Sequence, residues 1–218
     1  MKPIARSFFH RDVDIVAREL VGQWLVRDVD GDGDGDGDGE RVVLRITECE
    51  AYGPETDTAA HSRAGLTART KPMFGPPGHA YIYLCYGIHW MLNLVTSPVG
   101  TPKAILIRSC DVVEGLDVVV RRRHVRRPSS PKAMAALVAG PGKVTQALAI
   151  DLAFNNHDVC APGSFFVARA RRRKSDAPLR VVRGARVGID YAELHDREAI
   201  RRYALADCDA VTQRALLR

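Results

Sequence analysis

The stretch Ala80 to Val95, AYIYLCYGIHWMLNLV, constrains the fold more than any other part of the chain. It is apolar but shorter than the roughly 20 residues that a membrane span needs. Its aromatic and β-branched residues favour strands, and Gly87 punctuates it, so two strands meeting at a turn are predicted. Strand alternation puts Tyr81 and Tyr83 on one face. Tyr86, just before Gly87, is pushed outward by the turn.

The rest of the chain alternates short helices and strands. Asp12 is placed to cap a helix over Val13–Val21, stopped by Gly22. Gln23–Asp28, Arg41–Glu48 and Lys103–Arg108 have strand patterns. Glu114–Arg123 and Pro141–Ile150 have helical ones. Phe165–Ala170, Leu179–Arg183 and Arg186–Val187 are short strand candidates. Tyr52–Pro77 is expected to be an ordered loop with short helical pieces, Arg126–Met134 a basic loop, and the tail from Glu193 mixed. With 218 residues and no long linker, one α+β domain over 1–218 is the simplest account.

The net charge of +6 hides an asymmetry: residues 1–120 carry −5 and residues 121–218 carry +11. A basic half fits a polyanionic partner such as nucleic acid, and equally a well-solvated surface. Residues 28–40 hold seven acids, no Lys or Arg, and a Gly-Asp repeat. They are expected to form a low-complexity hairpin loop. The closing Glu and flanking helices of an EF-hand are missing, so no metal is expected there. Five scattered cysteines without a C-x-x-C pair exclude a disulfide framework or zinc finger and fit a reducing compartment. The first 26 residues have no apolar core segment, so an intracellular (cytoplasmic or nucleoid) protein without a signal peptide is expected.

Two clusters carry chemistry. Glu48 and Glu50 share a strand face if the strand continues, with Tyr52 and then Ala60, His61 and Ser62 following. A carboxylate held beside aromatic groups is suited to base work, although Glu50 alone also reads as a surface strand-end residue. Tyr81, Tyr83 and Tyr86, with His89, Trp90 and Asn93, read either as core or as platforms for stacking flat bases. Gly140-Pro141-Gly142-Lys143 reads as a phosphate contact at a helix start or as a plain tight turn. The arginine runs 121–123, 126–127 and 171–174 (the last ending in Lys174) are candidate phosphate contacts or solvated surface.

Glu48-Cys49-Glu50-Ala51-Tyr52, Ala59-Ala60-His61-Ser62, and the run through Met73, Phe74, Pro77, Gly78, Tyr81, Tyr83, Tyr86, Gly87 and Asn93 resemble the alkyladenine (3-methyladenine) DNA glycosylase family. So do Leu106-Ile107-Arg108, Glu114-Gly115-Leu116, Gly140 to Lys143, Gln146-Ala147-Leu148 and Arg186 to Ile189. The likeness covers nearly the whole chain. It departs at Cys49, where Thr is usual, at His89-Trp90, and in the longer Gly-Asp loop.

The resemblance implies a mostly antiparallel curved sheet with surrounding helices and a protruding β-hairpin. It implies excision of alkylated or deaminated purines from double-stranded DNA, with water as co-substrate, no cofactor, and a monomer. Glu50 would be the general base, and Arg108 would hold the water or the carboxylate. Tyr52, Ala60, His61 and Tyr83 would line the base pocket, Asn93 would crowd a guanine 2-amino group, and Tyr86 would intercalate. Arg63, Ile88, His89 and Lys143 would contact DNA. Two other classes compete: a non-catalytic nucleic-acid-binding module, which gains nothing from a pocket carboxylate, and a small-molecule carboxylate hydrolase, which leaves Tyr86 and the basic runs without a role.

Overall fold

A long strand through Glu48 and Glu50 organises the chain in the computed structural model, which describes residues 1–29, 39–171, 177–214 and 217. In chain order the elements are α1 (Arg6–Phe9), α2 (Val13–Leu20), β1 (Trp24–Val29), β2 (Glu40–Tyr52), β3 (Ala80–Cys85), β4 (His89–Val95) and β5 (Ala104–Glu114). They continue with α3 (Leu116–Arg122), α4 (Pro131–Ala136), α5 (Pro141–Leu148), β6 (Phe165–Ala168), β7 (Val181–Gly184), α6 (Leu194–Glu198) and β8 (Arg202–Leu205). Short 3-10 turns lie at His61–Ala64, Lys71–Phe74 and Leu152–Phe154.

The eight described strands form one antiparallel sheet in the order β3-β4-β5-β2-β1-β6, with β8 joining β2 and β7. This is the expected α+β fold. β2 is long enough to hold two neighbours in succession on one edge. Its first half pairs with β1, and Glu48–Glu50 pair with Arg202–Ala204 of β8. Its other edge pairs with β5 through three irregularities, the first between Val43 and Leu44. Ile46 faces Cys110, Glu48 faces Ser109 and Cys49 faces Ile107, so Thr47 and then Arg108 lie opposite no residue. Bulges of this kind re-aim side chains beside functional sites, and here the third one carries Arg108.

Leu44, Ile46, Leu92, Leu94, Ile105 and Ile107 pack from the sheet onto Phe9, Leu20, Val144 and Leu148 of the helices, all essentially buried. Burial of this apolar surface, at about 25 cal/mol per Å², is the main favourable term. Asp12 caps α2 by accepting from the Asp14 N–H at 3.0 Å. Cys49 faces this core and its thiol donates to the Ala17 carbonyl, so the residue that replaces Thr points away from Glu50.

Several expectations are corrected. β2 runs on to Tyr52, so Glu50 lies inside a strand rather than closing one. β5 extends through Glu114, and α3 starts only after Gly115. Part of the expected 126–134 loop is helix α4, whose first turn is capped by the Ser130 hydroxyl. Arg186–Val187 is not a strand, because polar contacts turn both residues inward. Residues 30–38 of the Gly-Asp segment and 172–174 of the last basic run lie outside the described residues. Among the described residues no helix is long and apolar enough to cross a membrane.

Candidate active site

Glu50 is fully buried on β2, in the middle of the sheet. Its Oε1 accepts the Val187 N–H at 2.7 Å, and its Oε2 accepts the Tyr52 hydroxyl at 2.9 Å and Arg108 Nη1 at 3.3 Å. All three donors line a cavity of about 660 Å³, so the carboxylate sits directly beneath that cavity's floor. Burial pushes the Glu50 carboxyl above its ordinary value; Arg108, the Val187 N–H and the Tyr52 hydroxyl pull it back, and Glu48 adds to the rise. The Tyr52 phenol is pushed well up, by burial and then by Glu50, so it stays protonated and keeps donating.

Glu48 lies on the same side of β2, as the alternation predicts. It holds Arg108 Nε at 2.9 Å. The same carboxylate accepts Arg202 Nε at 2.8 Å, the Thr212 hydroxyl at 2.8 Å and the Thr212 N–H at 2.7 Å. Arg108 thus bridges two carboxylates, one saturated with donors and one beneath the cavity.

The cavity walls include Tyr52, Ala60, His61, Arg63, Arg69, Tyr83, Tyr86, Arg108, Ile189 and Tyr191. A narrow recess of about 40 Å³ continues behind it, lined by Tyr81, Asn93, Met73 and Ala59 among others. The His61 and Tyr83 rings meet edge to face, with centroids 4.5 Å apart, and Tyr81 and Tyr83 share a face at 5.5 Å. Arg69 approaches His61 Nε2 at 3.4 Å, and a guanidinium only donates, so Nε2 is the acceptor and Nδ1–H donates to the Tyr81 oxygen at 3.0 Å. Burial first, then Arg69 and Arg63, push His61 down to about 4, which keeps this tautomer neutral. Asn93 donates its amide to the Tyr81 carbonyl at 3.1 Å, which fixes its orientation at the recess.

The hairpin between β3 and β4 carries Tyr86 at the cavity mouth, 90% exposed and at φ 51°. Gly87 follows at φ 72°, and two consecutive left-handed residues make the tight turn that aims the ring outward. Ile88 and His89 lie beyond the tip and border a separate shallow groove. The His89 ring lies so near Gly142 that a Cβ there would sit 3.0 Å from it. That contact gives the Gly-Pro-Gly helix start a packing reason. The Gly140 N–H is used by the Arg108 carbonyl at 3.0 Å, and Lys143 Nζ donates to the Ala136 carbonyl. Arg63 is exposed at the rim, over the Tyr191 ring.

The sequence-predicted residues Glu50, Arg108, Tyr52, Ala60, His61, Arg63, Tyr83 and Tyr86 therefore gather at one cavity, with Asn93 in its recess; Ile88, His89 and Lys143 stand outside it. Of the basic runs, Arg121 and Arg122 pair with Glu40, and Arg127 pairs with Asp117. Sequence reasoning missed Arg69, Arg186, Val187 as a donor, Tyr191, Arg202 and Thr212. Arg186 holds Asp57 through its two terminal guanidinium nitrogens at 2.6 and 2.9 Å and lies 4.8 Å over the Tyr52 ring. A larger groove of about 830 Å³ runs along the N-terminal residues, but its carboxylate, Glu19, is exposed and paired with Arg11. It contains no buried base.

The profile of the family described as methylpurine-DNA glycosylase (MPG) matches residues 7–209. A DNA-3-methyladenine glycosylase of Arabidopsis thaliana is 41% identical, over 95% of this chain and 73% of that protein. A protein provisionally named 3-methyladenine DNA glycosylase from Nitrosococcus oceani is 43% identical, over 96% of this chain and 93% of its own. One from Methanocella arvoryzae is 40% identical over 88% and 87%. With a family match across nearly all the chain, laid over a buried carboxylate beneath an aromatic cavity, the protein belongs to the methylpurine-DNA glycosylases, the N-glycosyl hydrolases of DNA repair.

Proposed function

We propose that the protein, acting as a monomer, flips a damaged purine out of duplex DNA and hydrolyses its N-glycosidic bond, with 3-methyladenine, 7-methylguanine, hypoxanthine and ethenoadenine as the substrate class. The observation that carries this reading is Glu50, a buried carboxylate whose three donors all line an aromatic cavity with Tyr86 exposed at its mouth. A base in a duplex is out of reach, so it must leave the stack at a cost of a few kcal/mol, least for damaged or mispaired bases. Tyr86 fills the gap left behind. Tyr83, Tyr52 and His61 hold the flipped base, and their faces favour cationic alkylated purines.

Water then attacks the sugar C1′ as the bond to the purine nitrogen breaks and its electron pair leaves with the base. Glu50 takes the water proton, and its charge stabilises the oxocarbenium-like transition state. Arg108 orients Glu50, and Asn93 crowds a guanine 2-amino group in the recess. The cations of the cavity wall are Arg63, Arg69 and Arg108, which do not form imines, so the reading is hydrolysis without strand cleavage. The test is incubation with duplex DNA holding one hypoxanthine, or with methylated DNA, followed by alkali. Strand breaks at the lesion are expected, and no base release from either substrate overturns the reading.

A further inference from the structure

We infer that Arg202 and Thr212, at the far end of the chain from the motif residues, are positioning residues that hold Glu50 in its working state through Glu48 and Arg108. The inference rests on Glu50 being the base. The guanidinium of Arg108 is planar, so fixing the direction of its Nε fixes where Nη1 points. Nε is held by Glu48 at 2.9 Å, and Nη1 is the group on Glu50. Glu48 is in turn locked by Arg202, which is fully buried, and by two donors of Thr212. Arg202 Nη2 also donates to the Thr212 carbonyl, which ties the two residues together.

Charge makes the arrangement more than a brace. Two buried carboxylates, Glu48 and Glu50, face two guanidiniums, Arg108 and Arg202, so the group is neutral overall. Without Arg202 a single guanidinium would serve both carboxylates, and like charges this close resist joint ionisation. Apart from Cys49, whose thiol points into the core on the opposite face, the other groups facing Glu50 are Tyr52 on its own strand, Tyr83 from β3, and Arg186 and Tyr191 from the segment before α6. None of them contacts Glu48 by hydrogen bond or ion pair among the described residues. Arg202 and Thr212 are therefore placed to act on Glu50 through Glu48 and Arg108.

The experiment is single-turnover excision of hypoxanthine from duplex DNA across pH, with affinity for abasic DNA measured in parallel, for Arg202→Met, Arg202→Lys, Thr212→Val and Glu50→Gln. Arg202→Met should move the acid limb of the rate profile up by about one pH unit, and so slow excision by about tenfold at pH values on that limb. The rate should recover at alkaline pH, and abasic-DNA affinity should stay within about twofold. Arg202→Lys should restore part of the rate, and Thr212→Val should move the limb the same way by less. A wild-type profile in Arg202→Met overturns the inference. So does a loss uniform across pH that Lys does not relieve. If Arg202→Met fails to fold, Thr212→Val decides: a shifted limb supports the inference and an unshifted one overturns it. An active Glu50→Gln instead overturns the underlying assignment of the base, a result distinct from either.

Discussion

Glu50 Oε1 accepts the main-chain N–H of Val187 at 2.7 Å, across 137 positions of sequence. This contact, with Tyr52 and Arg108 on the other oxygen, holds the carboxylate in place without a neighbouring turn or helix. A glutamine at position 50 can still accept the Val187 N–H, so Glu50→Gln should keep the fold and the DNA affinity. It should lose excision by about 10²–10⁴-fold, the usual contribution of a positioned base. Because burial raises the Glu50 carboxyl above its ordinary value, the wild-type rate should fall with acid at a pH above the ordinary Glu range. Single-turnover rates across pH check both statements; full activity of Glu50→Gln removes Glu50 from the mechanism.

His61 should stay neutral across pH 5–8, because burial and the two nearby arginines hold it near 4. The wild-type rate profile should then carry no inflection from this residue. NMR titration of the His61 ring is the measurement, and a midpoint between pH 6 and 7 would contradict the Arg69–His61–Tyr81 arrangement.

Tyr86→Ser should leave the melting temperature nearly unchanged, since a 90% exposed side chain contributes within about 0.5 kcal/mol to folding. Affinity for abasic duplex DNA should drop, by about 1–3 kcal/mol if the ring stacks on a base. Equal affinity of the two proteins in a titration would leave the exposed hairpin tip without the wedge role.

Asp57 and Arg186 form a buried ion pair beneath the Tyr52 ring. Removing one partner leaves an uncompensated charge, so Asp57→Ala should destabilise the fold by about 3–5 kcal/mol. Burial alone would raise the Asp57 carboxyl, but Arg186 and the Gly53 and Ala59 N–H groups outweigh it and lower it. The folded carboxyl therefore titrates below the unfolded one. Its contribution is present above about pH 4 and is lost as pH falls through the folded value. Melting curves of both proteins at neutral and acid pH should converge as the pH drops; a constant gap would mean that the pair is not the source.

Replacing residues 30–38 with a short Asn-Gly turn should leave excision intact and tighten DNA binding at low salt. The two ends of that segment are joined by the Val29–Glu40 rung of the sheet. Glu40 lies ten residues along β2 from Glu50, about 33 Å at strand rise. Among the described residues, Asp28 pairs with Arg41 and Glu40 with Arg121 and Arg122. The five aspartates of 30–38 carry charge that opposes phosphates at long range, so the gain should fade as salt rises. Weaker binding after the replacement, read by titration at two salt concentrations, would place the segment against the DNA instead.

Strands β1 to β7, with shifted ends, the Gly87 turn, the Tyr81–Tyr83 face and the shared side of Glu48 and Glu50 were legible in the sequence; β8, in the tail, was not. Each is set by nearest-neighbour sterics or by a period of two residues, and both repeat along the chain. The clustering of Glu50, Tyr52, His61, Tyr83 and Arg108 was legible only through family resemblance, since no spacing rule joins positions that far apart. The other half of the site left no local trace. Val187 contributes a backbone N–H, which every residue except proline carries. Arg202 and Thr212 come from a tail with no clear pattern, and Tyr191 is a solitary aromatic. Arg108 gains its direction from a bulge that exists only where β2 meets β5. Sequence by itself determined most of the segments that form the sheet, all but β8, and which side chains share a face. Tertiary structure alone decided which distant donors surround the buried carboxylate, because desolvated charge must be met by whatever polar atoms the packing brings within hydrogen-bond reach.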